Sequence, residues 1–315
     1  MTKTIAITGA SGFTGGAIAR HFHAMGWRVF AFGRRRHPTL PEGVNYQQWD
    51  IATGTVNVQE MVDVVVHSAA MVDDSGKREN FLRINVNGTQ NVLDSFRDAG
   101  QFIHISSSSI YDPFAEKINI REDFPYGKRY FNAYAETKML AEKAILDDTR
   151  SNKVILRPRA IYGEGDTTLL PRLLNLQRGQ YMMGIGTGDN EISITYIGNF
   201  CHAIQKVTEK QFDSEIFNIT DSETITQRQL LARIADLIEQ DLKPVFIPRY
   251  IIDPIAKVSD WLSQRGIASR LSSYAIHNLA ETFTLDIAKA RNLLDYQSPY
   301  SQAEAFARVK ANFSS

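Results

Sequence analysis

The sequence predicts an α/β fold: a doubly wound parallel sheet with a smaller, discontinuous C-terminal substrate domain. Two observations predict it. Short apolar runs alternate with helical patterns through the first half of the chain, and a glycine-rich turn, Thr8-Gly9-Ala10-Ser11-Gly12-Phe13-Thr14-Gly15, closes the first of those runs. Alternation of this kind requires crossover connections, hence parallel strands covered on both faces, with ligands held at the carboxyl ends of the strands.

Thr4 to Thr8, Arg28 to Phe32, Val62 to His67 and Phe102 to Ser106 are β-branched or aromatic and almost free of charge, as buried strands are. Val154 to Arg157, before Pro158, makes a fifth. Gly15 to Met25, Asn80 to Ala99 and Asn132 to Thr149 carry apolar residues at helical spacing. Beyond Pro158 the rhythm loosens. Leu169 to Arg178 is expected as a helix, Ile192 to Ile197 and Ile216 to Ile219 as strands returning to the sheet, and Gln227 to Gln240 and Pro248 to Gln264 as helices. The expected division is a dinucleotide-binding domain over 1–165, joined again by 192–220, and a substrate domain over 166–191 and 221–315.

With 35 basic and 35 acidic residues, no global field recruits nucleic acid or an anionic membrane. No run of about 18 apolar residues occurs, so no stable membrane insertion is expected. Cys201 is the only cysteine, which fits a reducing compartment; with the first strand starting at Thr4 no signal peptide is expected, and the cytoplasm is the expected location. His21 and His23 read as a solvated helix face, and no metal site is expected.

Gly9, Gly12 and Gly15, with Ser11, Phe13 and Thr14 between them, form either a pyrophosphate cradle or a simple turn. The cradle reading rests on backbone N–H groups and a helix N-terminus converging on phosphate. At the end of the second strand an acidic residue would bind a ribose 2′-hydroxyl, whereas arginine accepts a 2′-phosphate. Gly33-Arg34-Arg35-Arg36 has no carboxylate, so Arg34 and Arg35 favour NADP(H) over NAD(H), with a solvated basic loop as the alternative. Asp50 could cap the adenine amino group or sit in an exposed turn.

Tyr134 and Lys138 stand one helical turn apart on one face. A phenol titrates near pH ~10 when unperturbed, and a neighbouring ammonium lowers that value. Tyr134 can then exchange a proton with a carbonyl oxygen while Lys138 tunes it and holds the nicotinamide ribose. The run Ser106-Ser107-Ser108-Ser109 ends the fourth strand, where a hydroxyl could polarise the reacting oxygen or simply cap a turn.

Taken together, Thr8 to Gly15, His67 to Ala70, Asn85 to Thr89, Ser106 to Tyr111, Tyr134 to Lys138 with Ala141-Glu142, and Leu156 to Pro158 with Tyr162-Gly163 resemble the extended short-chain dehydrogenase/reductase superfamily, the NAD(P)-dependent epimerase/dehydratase type. The resemblance implies a Rossmann-type fold and a Ser107, Tyr134, Lys138 catalytic set. It also implies that Asn85 supports the lysine through water, and that Ile51, Ser68, Ala69, Ala70, Pro158 and Ile161 run along the cofactor. A homodimer is implied through a four-helix bundle formed by the helices near 80–99 and 132–149.

Sugar-nucleotide enzymes of this type grip a diphosphate with an asparagine and an Arg-Asp pair, where this chain has Ala160 and Ile192-Ser193. The segments 156–163, 194–199 and 283–290 resemble instead the 3β-hydroxysteroid dehydrogenase-like branch. That implies an NADP(H)-dependent oxidoreductase interconverting a ketone and a secondary alcohol on a small, largely apolar substrate. Tyr181, Met182, Met183, Phe246, Tyr250, Ile251, Ile252 and Trp261 could line its pocket or belong to the core, and Asp73-Asp74 could edge its mouth. The alternatives are a nucleotide-sugar epimerase/dehydratase with tightly bound NAD and a non-catalytic NADPH-binding sensor or scaffold, against which the retained Tyr134–Lys138 pair argues.

Overall fold

The computed structural model describes residues 2–58, 60–73, 76–263 and 273–313. Its centre is a seven-stranded sheet of β1 (Thr4–Thr8), β2 (Arg28–Gly33), β3 (Asn45–Gln48), β4 (Val64–His67), β5 (Gln101–Ile105), β6 (Lys153–Pro158) and β7 (Ser214–Ile219). The spatial order is β7-β6-β5-β4-β1-β2-β3, and every pairing is parallel. Order reverses between β1 and β4, the place where this architecture opens a crevice for a ligand.

Alternation along the strands sends side chains to two separate cores. Ile5, Ile7, Val64 and Val66 face one way, onto Ile18 and Phe22 of α1 (Phe13–Ala24) and Phe200 and Ile204 of the helix Ile197–Thr208. Ala6, Val65, Phe102 and Ile155 face the other way. There they meet Val92 and Leu93 of α2 (78–95) and Ile145 of α3 (Ala133–Asp147). Helix α2 is α-helical over Arg78–Phe81 and Gly88–Ser95, with a π turn over Leu82–Asn87 between them.

The C-terminal part departs from the sequence reading in particular places. Ile192 to Ile197 does not return to the main sheet; of the two segments expected to do so only Ile216 to Ile219 does, within β7 on the outer side of β6. Glu191–Ser193 pairs instead with Thr224–Thr226 and Phe283–Leu285, in a four-stranded sheet completed by Lys117–Ile120, and Thr195–Tyr196 pairs with Ile161–Tyr162. The helix expected over Leu169 to Arg178 stops at Leu174, and Gln177–Arg178 folds back onto Tyr181–Ile185 across Gly179. The helix expected to Gln264 covers Arg249–Ser263; Gln264 lies outside the described residues, as do Asp74 and the side chain of Trp261. His21 is half-buried and bonded to Gln205 of the helix Ile197–Thr208, not solvated. No helix among the described residues is long and apolar enough to cross a membrane.

Candidate active site

A cavity of about 860 Å³ opens at the carboxyl ends of β1, β2, β4, β5 and β6. Gly9, Ser11, Gly12, Phe13, Thr14, Gly15, Arg34, Asp50, Ile51, Ser68, Ala69, Ala70, Ser107, Tyr134, Lys138, Pro158 and Ile161 all line it. Arg35 and Asn85 do not.

Its nucleotide end is built from backbone. Gly9 has φ +73°, and a Cβ there would stand 2.8 Å from the Ala69 nitrogen. A Cβ on Gly15 would meet the Gly9 oxygen at 2.4 Å, so the turn closes this tightly only with glycine at both places. Gly12 caps α1 without a side-chain hydrogen bond, and the first turn of α1 carries no acidic residue. The first N–H groups of the helix therefore face the cavity with the positive end of the helix dipole behind them, which fits a pyrophosphate.

Among the arginines after β2, Arg34 lines the cavity, and its carbonyl is anchored by Gln48 Nε2 at 2.9 Å. Arg35 is exposed, and its carbonyl accepts from Tyr46 Oη at 2.6 Å. Asp50 caps its own 3₁₀ turn through Ala52 N at 3.0 Å, while still bordering the cavity.

Under the floor runs a buried polar chain. Thr8 Oγ1 lies 2.8 Å from His67 Nδ1, and His67 Nε2 lies 2.9 Å from Thr89 Oγ1, whose hydroxyl donates to the Asn85 carbonyl at 2.6 Å. Thr89 has one hydrogen and gives it to Asn85, so Nε2 of His67 is the donor and Nδ1 accepts from Thr8. Burial pushes His67 down to about 3, with Lys138 adding to the effect, and it stays neutral. Asn85 is a clamp: its side chain accepts from Met71 N at 2.7 Å and donates to the Met71 carbonyl at 3.2 Å and to Thr137 Oγ1 at 3.0 Å. It ties the loop after β4 to α3, one residue before Lys138.

The end that holds Tyr134 and Lys138 is positioned by α3, whose N-cap Asn132 accepts from Ala135 N at 3.1 Å. This sets Tyr134 in the first turn, half-buried, on the cavity wall. Lys138 is 3% exposed. Its Nζ donates to the Ile105 carbonyl at the end of β5 and lies 3.4 Å from His104 Nε2. Burial lowers the ammonium to about 8, against the opposing charge of Glu142. Two residues past Ile105, Ser107 Oγ accepts from Ser109 N at 3.2 Å, so its own hydrogen points elsewhere.

Three motif residues that the sequence quoted without a role form a buried network behind the site. Arg157 and Glu142 pair at 2.7 Å, with side chains 2% and 0% exposed. Arg157 Nη1 also donates to Tyr111 Oη at 3.0 Å, and Tyr111 donates to Asn218 Oδ1 at 2.6 Å. Glu142 and the hydroxyls around it hold Arg157 firmly protonated.

Residues 5–220 match the profile of the NAD dependent epimerase/dehydratase family. The chain belongs to that family. Among curated proteins, this member of the epimerase/dehydratase family is 27% identical over 332 residues to a 2-alkyl-3-oxoalkanoate reductase of Shewanella oneidensis, covering 97% of this chain and 85% of that one. It is 29% identical over 263 residues to the human sterol-4-alpha-carboxylate 3-dehydrogenase, decarboxylating, covering 79% and 70%. Among solved structures, the UDP-glucuronic acid 4-epimerase of Bacillus cereus in complex with NAD shares the fold, with a TM-score of 0.74 at 20% identity over 98% of this chain and 96% of that one. As in other extended short-chain dehydrogenases, the chemistry is enzymatic and depends on a nicotinamide dinucleotide.

The far end of the cavity is not built from the residues offered for it. Tyr181, Met182, Met183, Phe246, Tyr250, Ile251 and Ile252 do not line it. Met182 and Ile252 are core, whereas Tyr250 is 78% exposed. Leu169, Leu173, Leu176, Ile192, Ile194 and Leu230 form the apolar wall instead, with Arg159 and Asn278 among them and Asp73 at the β4 side. Arg159 was legible as the neighbour of Pro158 in the motif Leu156-Arg157-Pro158; the leucines carried no signal separating wall from core.

Proposed function

We propose that this chain is an NADP(H)-dependent oxidoreductase interconverting a ketone and a secondary alcohol on a small, largely apolar substrate. The observation that carries the reading is that Ser107, Tyr134 and Lys138 share one cavity with a glycine cradle at one end and an aliphatic wall at the other. The two curated relatives support it: their names are those of a reductase and a dehydrogenase, and both describe an oxygen-bearing carbon two bonds from a carboxylate carbon. Residues 166–191 and 221–315 are read as the substrate-covering domain, and two copies as pairing through α2 and α3, which sedimentation equilibrium tests.

A bound nicotinamide supplies or accepts the hydride. The cradle of Gly9, Gly12 and Gly15 holds the pyrophosphate, and Arg34 pairs with a ribose 2′-phosphate. Ser107 donates its hydroxyl hydrogen to the substrate oxygen and holds it in place. During reduction Tyr134 gives its phenolic proton to that oxygen, and during oxidation it takes the proton back. The Lys138 ammonium favours the phenolate that remains. The aliphatic wall excludes water and takes the body of the substrate.

Fluorescence titration with NADPH and NADH tests the cofactor. Arg34→Ala is expected to weaken NADPH about 10- to 100-fold with NADH unchanged, and Arg35→Ala to leave both unchanged. Equal affinity of the wild type for both cofactors sinks the NADP(H) assignment. Tyr134→Phe is expected to bind NADPH normally without turnover, and retained turnover sinks the catalytic one. Stoichiometric NAD in the purified protein, with no net consumption, favours the epimerase chemistry instead.

A further inference from the structure

His104 of β5 is 1% exposed and level with His67 of β4, their rings 5.1 Å apart. Alternation along β5 puts it on the same face as Phe102, the face covered by α2 and α3. Its Nε2 lies 3.4 Å from Lys138 Nζ, while its Nδ1 is buried and has no partner among the described residues. His67 can supply none, because Thr8 and Thr89 occupy both of its nitrogens. Among the described residues, Lys138 is therefore the one hydrogen-bond partner of the His104 side chain.

An ammonium only donates, so Nε2 of His104 is the bare nitrogen and the ring hydrogen sits on Nδ1. The fold thus carries a buried N–H with nothing to receive it, a cost that an apolar ring at this position would remove. What it gains is an acceptor aimed at Lys138. Asn85, the other polar residue tied to this part of α3, gives both its amide hydrogens away, to the Met71 carbonyl and Thr137 Oγ1. Two of the three Lys138 hydrogens go to successive residues of β5, the His104 ring and the Ile105 carbonyl. The third is left for the cavity shared with Tyr134. The ionisable groups facing this pair are His67 from β4 and, from α3, Tyr134 on the same cavity wall and Glu142, which Arg157 of β6 already holds at 2.7 Å.

We propose that His104 is a positioning residue for Lys138: its Nε2 takes one ammonium hydrogen, which keeps the buried side chain charged and turns its remaining hydrogen to the cavity. Loss of that acceptor disfavours the charged form, so the charge then disappears at a lower pH. The link to turnover rests on the oxidoreductase reading, whereas the charge on Lys138 is measured without it.

The test compares three variants. His104→Phe keeps a ring and loses the acceptor, His104→Gln carries an amide that reaches the place of Nε2, and His104→Asn one that reaches only the place of Nδ1. Reduction of aliphatic ketones, 2-decanone first, consumes one NADPH and one proton per turnover and is followed between pH 6 and 9.5. The Lys138 side chain is titrated by NMR in protein labelled with ¹³C-lysine, its signal assigned by its loss in Lys138→Met. In His104→Phe and His104→Asn the fall in kcat/KM at high pH and the Lys138 titration are both expected to move down by about one pH unit, a tenfold change. His104→Gln is expected to restore both. Where His104→Phe fails to fold, the contrast between glutamine and asparagine decides. An unmoved Lys138 titration in a folded His104→Phe, or glutamine and asparagine variants that titrate alike, overturns the proposal. A titration that moves as expected without turnover of any ketone upholds the placement and sinks the oxidoreductase reading; turnover with an unmoved Lys138 does the reverse.

Discussion

Lys138 Nζ stands 3.4 Å from His104 Nε2, and both side chains are buried. The Lys138 ammonium therefore has a neutral base beside it, since burial holds His104 well below the usual histidine range and Lys138 and His67 push it the same way. Lys138 gives hydrogens to this imidazole and to the Ile105 carbonyl, which aims the ammonium from the strand side toward the cavity that Tyr134 shares.

A pH limit on turnover follows. With the Lys138 ammonium lowered to about 8 by burial, its charge is present below that pH and lost as pH rises through it. The support it gives the Tyr134 phenolate is lost with the charge. A profile of kcat/KM, which reports the free enzyme, is expected to fall above about pH 8, and Lys138→Met to lose both the limb and about 100-fold or more in rate. A wild-type profile flat from pH 7 to 9.5 contradicts this role.

Acid sensitivity of the fold is the second expectation. His67 titrates at about 3 in the folded protein and near 6.5 unfolded. Between those values the unfolded chain binds the extra proton, so stability is complete above about 6.5 and falls with decreasing pH. The slope is about 1.4 kcal/mol per pH unit for each such histidine. Urea unfolding at pH 7, 6 and 5 measures it. His104→Phe is expected to lose one histidine's share of the slope; an unchanged slope means His104 is not held neutral by the fold.

The Arg157–Glu142 pair gives a third. Removing only the cation leaves a carboxylate at 0% exposure with its guanidinium gone. Arg157→Met is expected to cost about 3–5 kcal/mol in unfolding free energy, and Arg157→Met with Glu142→Leu to recover most of it. A single variant as stable as the wild type would show that Tyr126, whose hydroxyl donates to Glu142 Oε2 at 3.1 Å, carries the carboxylate alone.

Much of this was legible in the residues. Strands buried on both faces announce themselves as uncharged β-branched runs, which is why β1, β2, β4, β5 and β6 could be placed to within about two residues. β3 was missed because it is an edge strand of Asn-Tyr-Gln-Gln, paired on one side only and largely exposed. The π turn at Leu82–Asn87 leaves no mark in the periodicity of α2, though it carries Asn85. Tyr134 and Lys138 alone are a spacing that chance often supplies; they stood out through the serine run at the end of β5 and the surrounding motifs, and Ser107 stood out within that run through the family resemblance. The aliphatic wall did not, since a leucine facing a cavity and a leucine facing a core have the same pattern until long-range packing distinguishes them.

The cavity's two ends come from different stretches of chain. Every predicted cofactor residue lies at or before Ile161, whereas the aliphatic wall is drawn from 169–176, 192–194 and 230, with Asn278 beside it. Inheritance can therefore act on them separately. Mutation in the later segments is expected to reshape the wall without disturbing the cradle, since most of the wall sits on the helices Leu169–Leu174 and Gln227–Leu237 and the strand Glu191–Ser193, apart in sequence from the glycine turn. A lineage can change its diet while keeping its coenzyme, and a graft of these three wall segments between relatives is the natural unit of exchange.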